Sequence, residues 1–414
     1  MQDSSTKLSP QNQDIRKVSD FPVIPYIAGD GIGPEVMASA IEVVDAAVTH
    51  AYGKGKQIEW QAVLAGQEAA SKHHDNWLPD ETLKAIEKHG IAIKGPLTTP
   101  VGKGIRSLNV QIRKSLDLFA CVRPVRYFDG VPSVVKNPEK VHLTIFRENT
   151  EDIYSGIEFM AQDAATKAMI EAIHQQHPTA VIKFPQTTAL GIKVISEEGS
   201  KRLIRSAFQY AILHDCPSVT LVHKGNIMKY TEGAFCQWGY ELAKEEFGAT
   251  EDPQTGEVLF LNPRSGRHIV VNDCITDAFF QQVLLRPENY SVVATMNLNG
   301  DYISDAVAAQ IGGIGIAPGA NMNDSISVYE ATHGTAPKYV GLDKANPSSL
   351  ILSAQMMLEN MGWVESSGLI LYGLKQAFRS AQMTQDIASQ CSPPVPSLKT
   401  SEFTQAIISH MHSY

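Results

Sequence analysis

The chain predicts an α/β fold with parallel strands, because short β-branched, apolar runs alternate with helical patterns along most of its length. Its 414 residues correspond, at roughly 150 per domain, to two or three compact units with a sizeable core. A third observation excludes the commonest variant of that fold, since the glycines after the first strand do not form a standard Rossmann loop. In IAGDGIGPEV, Gly29 and Gly31 fit the first two positions of G-x-G-x-x-G, but Pro34 occupies the third and Gly33 comes one residue early. No well-placed acidic residue follows about twenty positions on. The stretch reads as a tight strand-to-helix turn, with Pro34 starting the first helix.

In chain order, FPVIPYIAG is a strand and EVMASAIEVVDAAVTHAY a helix, and GIAIKGPL is a second strand. VHLTIFRENTEDIYSGIEF is β-rich, a helix follows from about Asp163 to Gln176, and AVIKFPQTTALGIKVIS looks extended, which suggests a separate mid-chain subdomain. SVTLVHKGN then leads to a helix through GAFCQWGYELAKEEF. The stretch from about Gln254 to Arg267 reads as an inserted hairpin with its turn at Asn262 to Gly266. YSVVATM and DYISDAVAAQIGG restore the strand-helix alternation. In KANPSSLILSAQMMLENMGW, Asn346 is the candidate N-cap and Pro347 the first helical residue. That helix is apolar nearly all round, so it is expected to be buried in the core or against a partner subunit. CSPPVPSLKT, with three prolines around Pro393, reads as an irregular connection before a last helix.

A net charge of −9 argues against nucleic-acid binding, which needs a clustered Lys/Arg excess. Cys121, Cys216, Cys236, Cys274 and Cys391 are scattered and form no C-x-x-C pair, so reduced structural thiols are expected. The first twenty residues are polar and carry Asp3, Asp14 and Asp20, unlike a signal or transit peptide. No apolar run approaches the length of a membrane span. A cytoplasmic protein with a loose N-terminal tail is the expectation.

The densest polar cluster is KGPLTTPVGKGIRSLNVQIRKSLDLFACVRPVR. It misses the phosphate-binding P-loop, because six residues separate Gly95 from Gly102 and Lys103, and Gly104 stands where Ser or Thr is needed. A helix opening at Arg106 would place Arg106, Asn109 and Arg113 on one face beside Ser107. Arg123 and Arg147 each end an apolar run. Arginines converging on one pocket would grip a di- or tricarboxylate; taken singly, each also suits a surface. Asp301 and Asp305 are four apart at the start of a helix just beyond a strand, a pattern that suits a hard cation such as magnesium or manganese. Acidic residues near a helix N-terminus are also favoured by the macrodipole alone. ATHGTAPKYVGLDKANP offers amides, a ring and a cation for adenine and phosphate binding, or is a plain surface loop. Tyr154 and Lys224 could transfer protons, or be structural.

Taken together, IPYIAGDGIGPEV, KGPLTTPVGKGIRSLNVQIRK, CVRPVRY, FRENTEDIYSGIE, TLVHKGNIMKYTEGAF, MNLNGDYISDAVAAQIGGIGIAPGAN and EATHGTAPKY resemble the bacterial NADP-dependent isocitrate dehydrogenases, nearly collinearly from about Pro22 to Ala381. That family belongs to the β-decarboxylating dehydrogenases, and Ser107, Asn109 and Arg113 separate it from the isopropylmalate enzymes. The resemblance implies oxidation of isocitrate, hydride transfer to NADP and loss of carbon dioxide to give 2-oxoglutarate. Ser107, Asn109, Arg113, Arg123 and Arg147 would bind substrate. Asp301 and Asp305, with Asp277 from across a homodimer, would hold Mg2+ or Mn2+. Lys224, also from across the dimer, would deprotonate the hydroxyl, and Tyr154 would protonate the enolate. Thr98, His333, Gly334, Thr335, Ala336, Pro337, Lys338, Tyr339, Asn346 and Asp386 would bind cofactor, with Ile32 near the ligand.

The resemblance further implies a large domain from 1–118 and 312–414, a small domain from 119–151 and 197–311, and a dimer clasp over 152–196. Ser107 matches a serine that is phosphorylated in some members, which would make a regulatory kinase and phosphatase partners. Two departures concern the cofactor. Gln385 and Ser389 stand where a tyrosine and an arginine normally hold the 2′-phosphate, and Ala345 is smaller than the usual valine. Losing an arginine–phosphate bond would cost roughly 1.5 to 3 kcal/mol, so NADP is still expected but with weakened preference. A sister enzyme acting on homoisocitrate, and a non-catalytic regulatory subunit, are the alternatives.

Overall fold

A computed structural model describes residues 18–98 and 107–413. Arg106 and the loop of Gly102, Lys103 and Gly104 lie outside the described residues.

The strands, in chain order, are β1 (Val23–Ile27), β2 (Glu59–Ala62), β3 (Ile91–Lys94), β4 (Ala120–Arg126), β5 (His142–Glu148), β6 (Glu158–Phe159), β7 (Leu190–Gly191), β8 (Ser218–His223), β9 (Thr250–Glu251), β10 (Val258–Leu261), β11 (His268–Ile275), β12 (Val292–Thr295), β13 (Pro318–Met322) and β14 (Ser327–Ala331). Twelve of them form one sheet in the order β2-β1-β3-β14-β13-β4-β5-β12-β8-β11-β10-β9. Parallel pairing holds at both flanks, through β2-β1-β3-β14 and through β5-β12-β8-β11. At the centre, β13 and β4 pair antiparallel with each other and with their outer neighbours. The chain therefore carries two parallel α/β halves joined by an antiparallel seam, and most proposed substrate residues flank that seam.

Helix burial follows the apolar periodicity. In Gly33–Tyr52, Val36, Met37, Ala40, Val43, Val44, Ala47 and Val48 face the core, Pro34 lies in the first turn, and Gly53 with φ of 58° ends the helix. The apolar helix Ser348–Asn360 is buried along nearly its whole length. Its N-cap is Pro347 rather than Asn346. Asn346 still works from one residue earlier, because its Oδ1 accepts the Ser348 N–H at 3.0 Å. The hairpin of β10 and β11 falls where the sequence places it.

Two extended readings shorten. The β-rich run after His142 breaks at Glu148, and a 3-10 turn over Ile153–Ser155 intervenes before β6. Of AVIKFPQTTALGIKVIS, only Leu190–Gly191 forms a strand, paired with β6, because a two-residue partner offers no longer ladder. The helix expected from Arg106 runs over Leu108–Ser115 with Ser107 as N-cap. All five cysteines are free, and no described helix is long and apolar enough to cross a membrane.

Candidate active site

Directly opposed residues of neighbouring strands, and residues two apart on one strand, share a sheet face. Cys121 of β4 pairs with Arg147 of β5, so Arg123 and Arg147 project from the same face. The helix Leu108–Ser115 brings Ser107, Asn109 and Arg113 to that face, and the helix Asn297–Gln310 brings Asp301. The result is a cavity of about 260 Å³ lined by Lys94, Ser107, Asn109, Arg113, Arg123, Arg147, Tyr154, Asp301, Glu330, His333 and Gly334, among others. Four cationic side chains face two carboxylates there. The balance favours an anionic ligand.

Each cation is anchored. Arg113 Nη2 donates to Glu330 Oε1 at 2.7 Å, and Lys94 Nζ donates to Glu330 Oε2 at 2.7 Å. Arg147 Nε donates to Asn297 at 2.9 Å, while its Nη1 bonds Asp301. Arg123 bonds Ser304 and lies 3.4 Å from Asp305. Burial pushes the Arg147 guanidinium down, and the like charges of Arg113 and Arg123 push the same way. Arg113 Nε and Asn109 Oδ1 are buried without a hydrogen-bond partner among the described residues. Their unmet capacity suits a polar ligand.

Tyr154 Oη donates to Asp301 Oδ2 at 2.7 Å, and its ring lies 5.0 Å from the Arg147 guanidinium. Burial, reinforced by the Asp301 hydrogen bond, raises the phenol above its ordinary value, so it carries its proton at neutral pH. Burial works to raise the Asp301 carboxyl as well, but Arg147 and Tyr154 outweigh it and hold it low. At Asp305 burial outweighs Arg123, and the carboxyl is raised. A divalent cation held by these carboxylates would keep both ionised.

Lys224 and Asp277 do not line this cavity. They follow the adjacent parallel strands β8 and β11 and form an ion pair with each other. Beside them, His223, Cys236 and Asp273 approach as metal ligands would, within 4.8 Å. The Gly225 N–H donates to His223 Nδ1 at 3.0 Å, which places the ring proton on Nε2, facing Asp273 at 3.1 Å. That tautomer hydrogen-bonds the carboxylate and leaves Nε2 no lone pair for a metal.

Segments that the resemblance assigns to the cofactor meet around the glycine turn. Asp30 accepts from the backbone of Gln67 at 2.8 Å and of Thr98 at 2.7 Å, and the Ile32 N–H donates to the Thr335 carbonyl at 3.0 Å. A Cβ on Gly31 would fall 2.1 Å from that carbonyl, and one on Gly29 would fall 2.5 Å from the Pro96 carbonyl. Only glycine allows these loops to close up. Ala336 has φ of 39°, and Pro337–Tyr339 is a short 3-10 turn exposing Lys338 and Tyr339. His333 Nε2 is buried without a partner among the described residues. Asn346 donates to Asp386 at 2.9 Å, and Gln385 and Ser389 are exposed beside it. Ala345 is buried.

Two central residues escape the sequence reading. Lys94 and Glu330 are charged groups inside apolar strand sequences, which was their only signal; their pairing spans 236 positions. Burial would raise the Glu330 carboxyl, but Lys94 and Arg113 hold it far below the carboxylate range. Glu330→Gln leaves two buried cations without their counter-charge, so the expected loss is about 3–5 kcal/mol of unfolding free energy. Urea denaturation measures it, and an unchanged midpoint and slope would contradict this account.

The isocitrate/isopropylmalate dehydrogenase family model matches residues 23–407. The chain is 55% identical over 401 residues to the NADP isocitrate dehydrogenase of Coxiella burnetii, covering 97% of this chain and 94% of the relative. It is 52% identical over 402 residues to that of Helicobacter pylori strain J99, covering 95% and 94%. Among solved structures, isocitrate dehydrogenase from Methylococcus capsulatus superposes with a TM-score of 0.76 at 34% identity, over 94% of this chain and 99% of the other. With the arginine-lined cavity astride the seam of a two-part α/β sheet, the chain belongs to the isocitrate/isopropylmalate dehydrogenase family.

Proposed function

We propose that the protein oxidises isocitrate with NADP and releases carbon dioxide to give 2-oxoglutarate, a step of the tricarboxylic acid cycle, in the cytoplasm. The observation that carries this reading is the convergence of Arg113, Arg123 and Arg147 with Ser107 and Asn109 on one cavity beside Tyr154 and Asp301. Three guanidinium groups match the three carboxylates of isocitrate, and bidentate pairing would fix its orientation.

Asp301 and Asp305, with the partner subunit's Asp277, would hold Mg2+ or Mn2+; the donors are all oxygen, and the first two lie one turn apart on one helix. Bound there, the cation would supply Lewis-acid stabilisation of the negative charge that develops on substrate oxygen. The partner subunit's Lys224 takes the hydroxyl proton as hydride leaves the same carbon for the nicotinamide. After carbon dioxide departs, Tyr154 gives its proton to the enolate carbon. Its raised phenol pKa keeps that proton available.

A homodimer is supported by where Lys224 and Asp277 sit, off their own chain's cavity and on segments that also carry exposed apolar side chains. Among these, Tyr230 is 94% and Leu285 64% exposed. In the homodimer such side chains would lie at the interface. Within it, 152–196 would be the clasp, 119–151 with 197–311 the small domain, and 1–118 with 312–414 the large one.

NADP would lie along His333 to Tyr339 with Thr98, Asn346 and Asp386. The neighbouring exposed Lys338 and Tyr339 suit a 2′-phosphate, and His333 Nε2, without a partner among the described residues, suits a polar ligand atom. Gln385 and Ser389 add no cation, so the preference over NAD is weakened but kept. Reduction of NADP and NAD with isocitrate, with magnesium or with EDTA, tests the whole reading. The expected result is metal-dependent NADPH formation with the higher kcat/KM for NADP. A clear NAD advantage would sink the cofactor assignment, EDTA-resistant turnover the metal, and faster turnover of homoisocitrate the substrate.

A further inference from the structure

Between the Tyr154 turn, the Asp301 helix and the Lys224 segment of one chain lies a buried charged cluster that none of the proposed roles uses. Asp152 and Glu232 are both fully buried, at 0% exposure. Lys193 sits between them, its Nζ 2.7 Å from Asp152 Oδ1 and 2.8 Å from Glu232 Oε1. Glu232 Oε1 makes no hydrogen bond among the described residues, so Lys193 meets it as an ion pair.

Every remaining bond of the two carboxylates reaches a catalytic segment. Asp152 Oδ1 accepts the Ile153 N–H at 2.7 Å and so caps the turn that carries Tyr154. Its other oxygen accepts the Leu298 N–H at 3.0 Å, at the start of the helix bearing Asp301 and Asp305. Glu232 Oε2 accepts the backbone N–H of Lys224 itself. The same oxygen accepts from Asn299 Nδ2 at 2.9 Å, on the Asp301 helix. Asp152 thus ties the Tyr154 turn to the start of the Asp301 helix, and Glu232 ties the Lys224 backbone to the same helix. Lys193 joins the two.

We propose that Lys193 is a positioning residue, which by bridging Asp152 and Glu232 holds the Tyr154 turn and the Asp301 helix of one site in register with the backbone of Lys224, which serves the site across the dimer. The inference rests on the catalytic roles proposed above. Without the ammonium group, two buried carboxylates face one another with a single hydrogen-bond set each, and they separate. The segments they hold then move apart. Misplacement of reacting groups by about 1 Å can cost on the order of 10²-fold in rate.

Among the described residues Lys193 neither hydrogen-bonds nor pairs with a cavity-lining side chain given above, so substrate affinity has no direct reason to change. Lys193→Met in the full-length protein is therefore expected to lower kcat for isocitrate oxidation about 10²-fold, with the KM for isocitrate within about threefold, at a temperature well below its unfolding midpoint. Lys193→Arg keeps a cation between the carboxylates and is expected to recover at least about a tenth of wild-type kcat. Should Lys193→Met yield no folded protein, Lys193→Gln decides, with kcat down about tenfold at constant KM. A role in stability alone predicts a lower unfolding midpoint and wild-type kcat per folded molecule; that result, in either variant, overturns the inference while leaving the function intact. A wild-type protein that reduces no NADP with isocitrate overturns the function, and this inference with it.

Discussion

Replacing Lys224 with Met is expected to lower kcat for isocitrate oxidation about 10²–10⁴-fold, with the KM for isocitrate within about threefold. The magnitude is that of removing a positioned general base. KM should hold, because the arginines proposed to bind the carboxylates stay in place. The location of Lys224 supplies a second, sharper readout. Its ammonium pairs with Asp277, and neither lines the cavity formed by its own chain. If the base acts across the dimer, a mixed dimer of Lys224→Met and Tyr154→Phe chains contains one site with an intact acid and an intact base. Refolding the two inactive variants together should therefore restore about a quarter of wild-type activity, because half the dimers are mixed and each has one working site. A base acting within its own chain predicts none. Full activity in Lys224→Met alone would remove the residue from the mechanism.

The elements legible in the sequence were those whose signal is local. Strand-helix alternation, the failed glycine fingerprint, and Asp301 one turn before Asp305 all depend on neighbours, and each sits in the expected type of element. The antiparallel seam was not legible. β13 and β4 meet from points far apart in the chain, β4 and β5 pair although a long connection separates them, and apolar periodicity does not encode which strands pair. The convergence of Arg113, Arg123 and Arg147 depends on that seam, so single arginines could only be candidates. Lys94 and Glu330 show the same limit more severely. A charged residue within an apolar strand looks like an exception, and only its partner reveals it as one half of a buried ion pair. Asn346 failed by a single residue, because an Asn that accepts the N–H two positions on can precede a Pro N-cap as well as cap the helix itself.

Ser107→Asp is expected to raise the KM for isocitrate by more than about 10²-fold with little loss of stability. Ser107 lines the cavity with Arg113, Arg123 and Arg147 and is the N-cap of Leu108–Ser115, where its side chain makes no capping bond. Asp is as good an N-cap residue as Ser, so the helix loses nothing and the unfolding midpoint should stay put. The ligand does lose. A new carboxylate about 4 Å from a substrate carboxylate costs on the order of 4 kcal/mol at the effective dielectric of a partly buried site, and it competes for the same guanidinium groups. Ser107→Ala removes one hydrogen bond of about 1 kcal/mol, so its effect should stay near tenfold or below. The contrast between the two variants separates charge from the loss of the hydroxyl. A phosphate on Ser107 would act in the same direction with nearly twice the charge, which gives the residue the chemistry of a regulatory switch. If Ser107→Asp binds isocitrate as well as the unsubstituted protein, the serine does not face the substrate, and the switch fails with it.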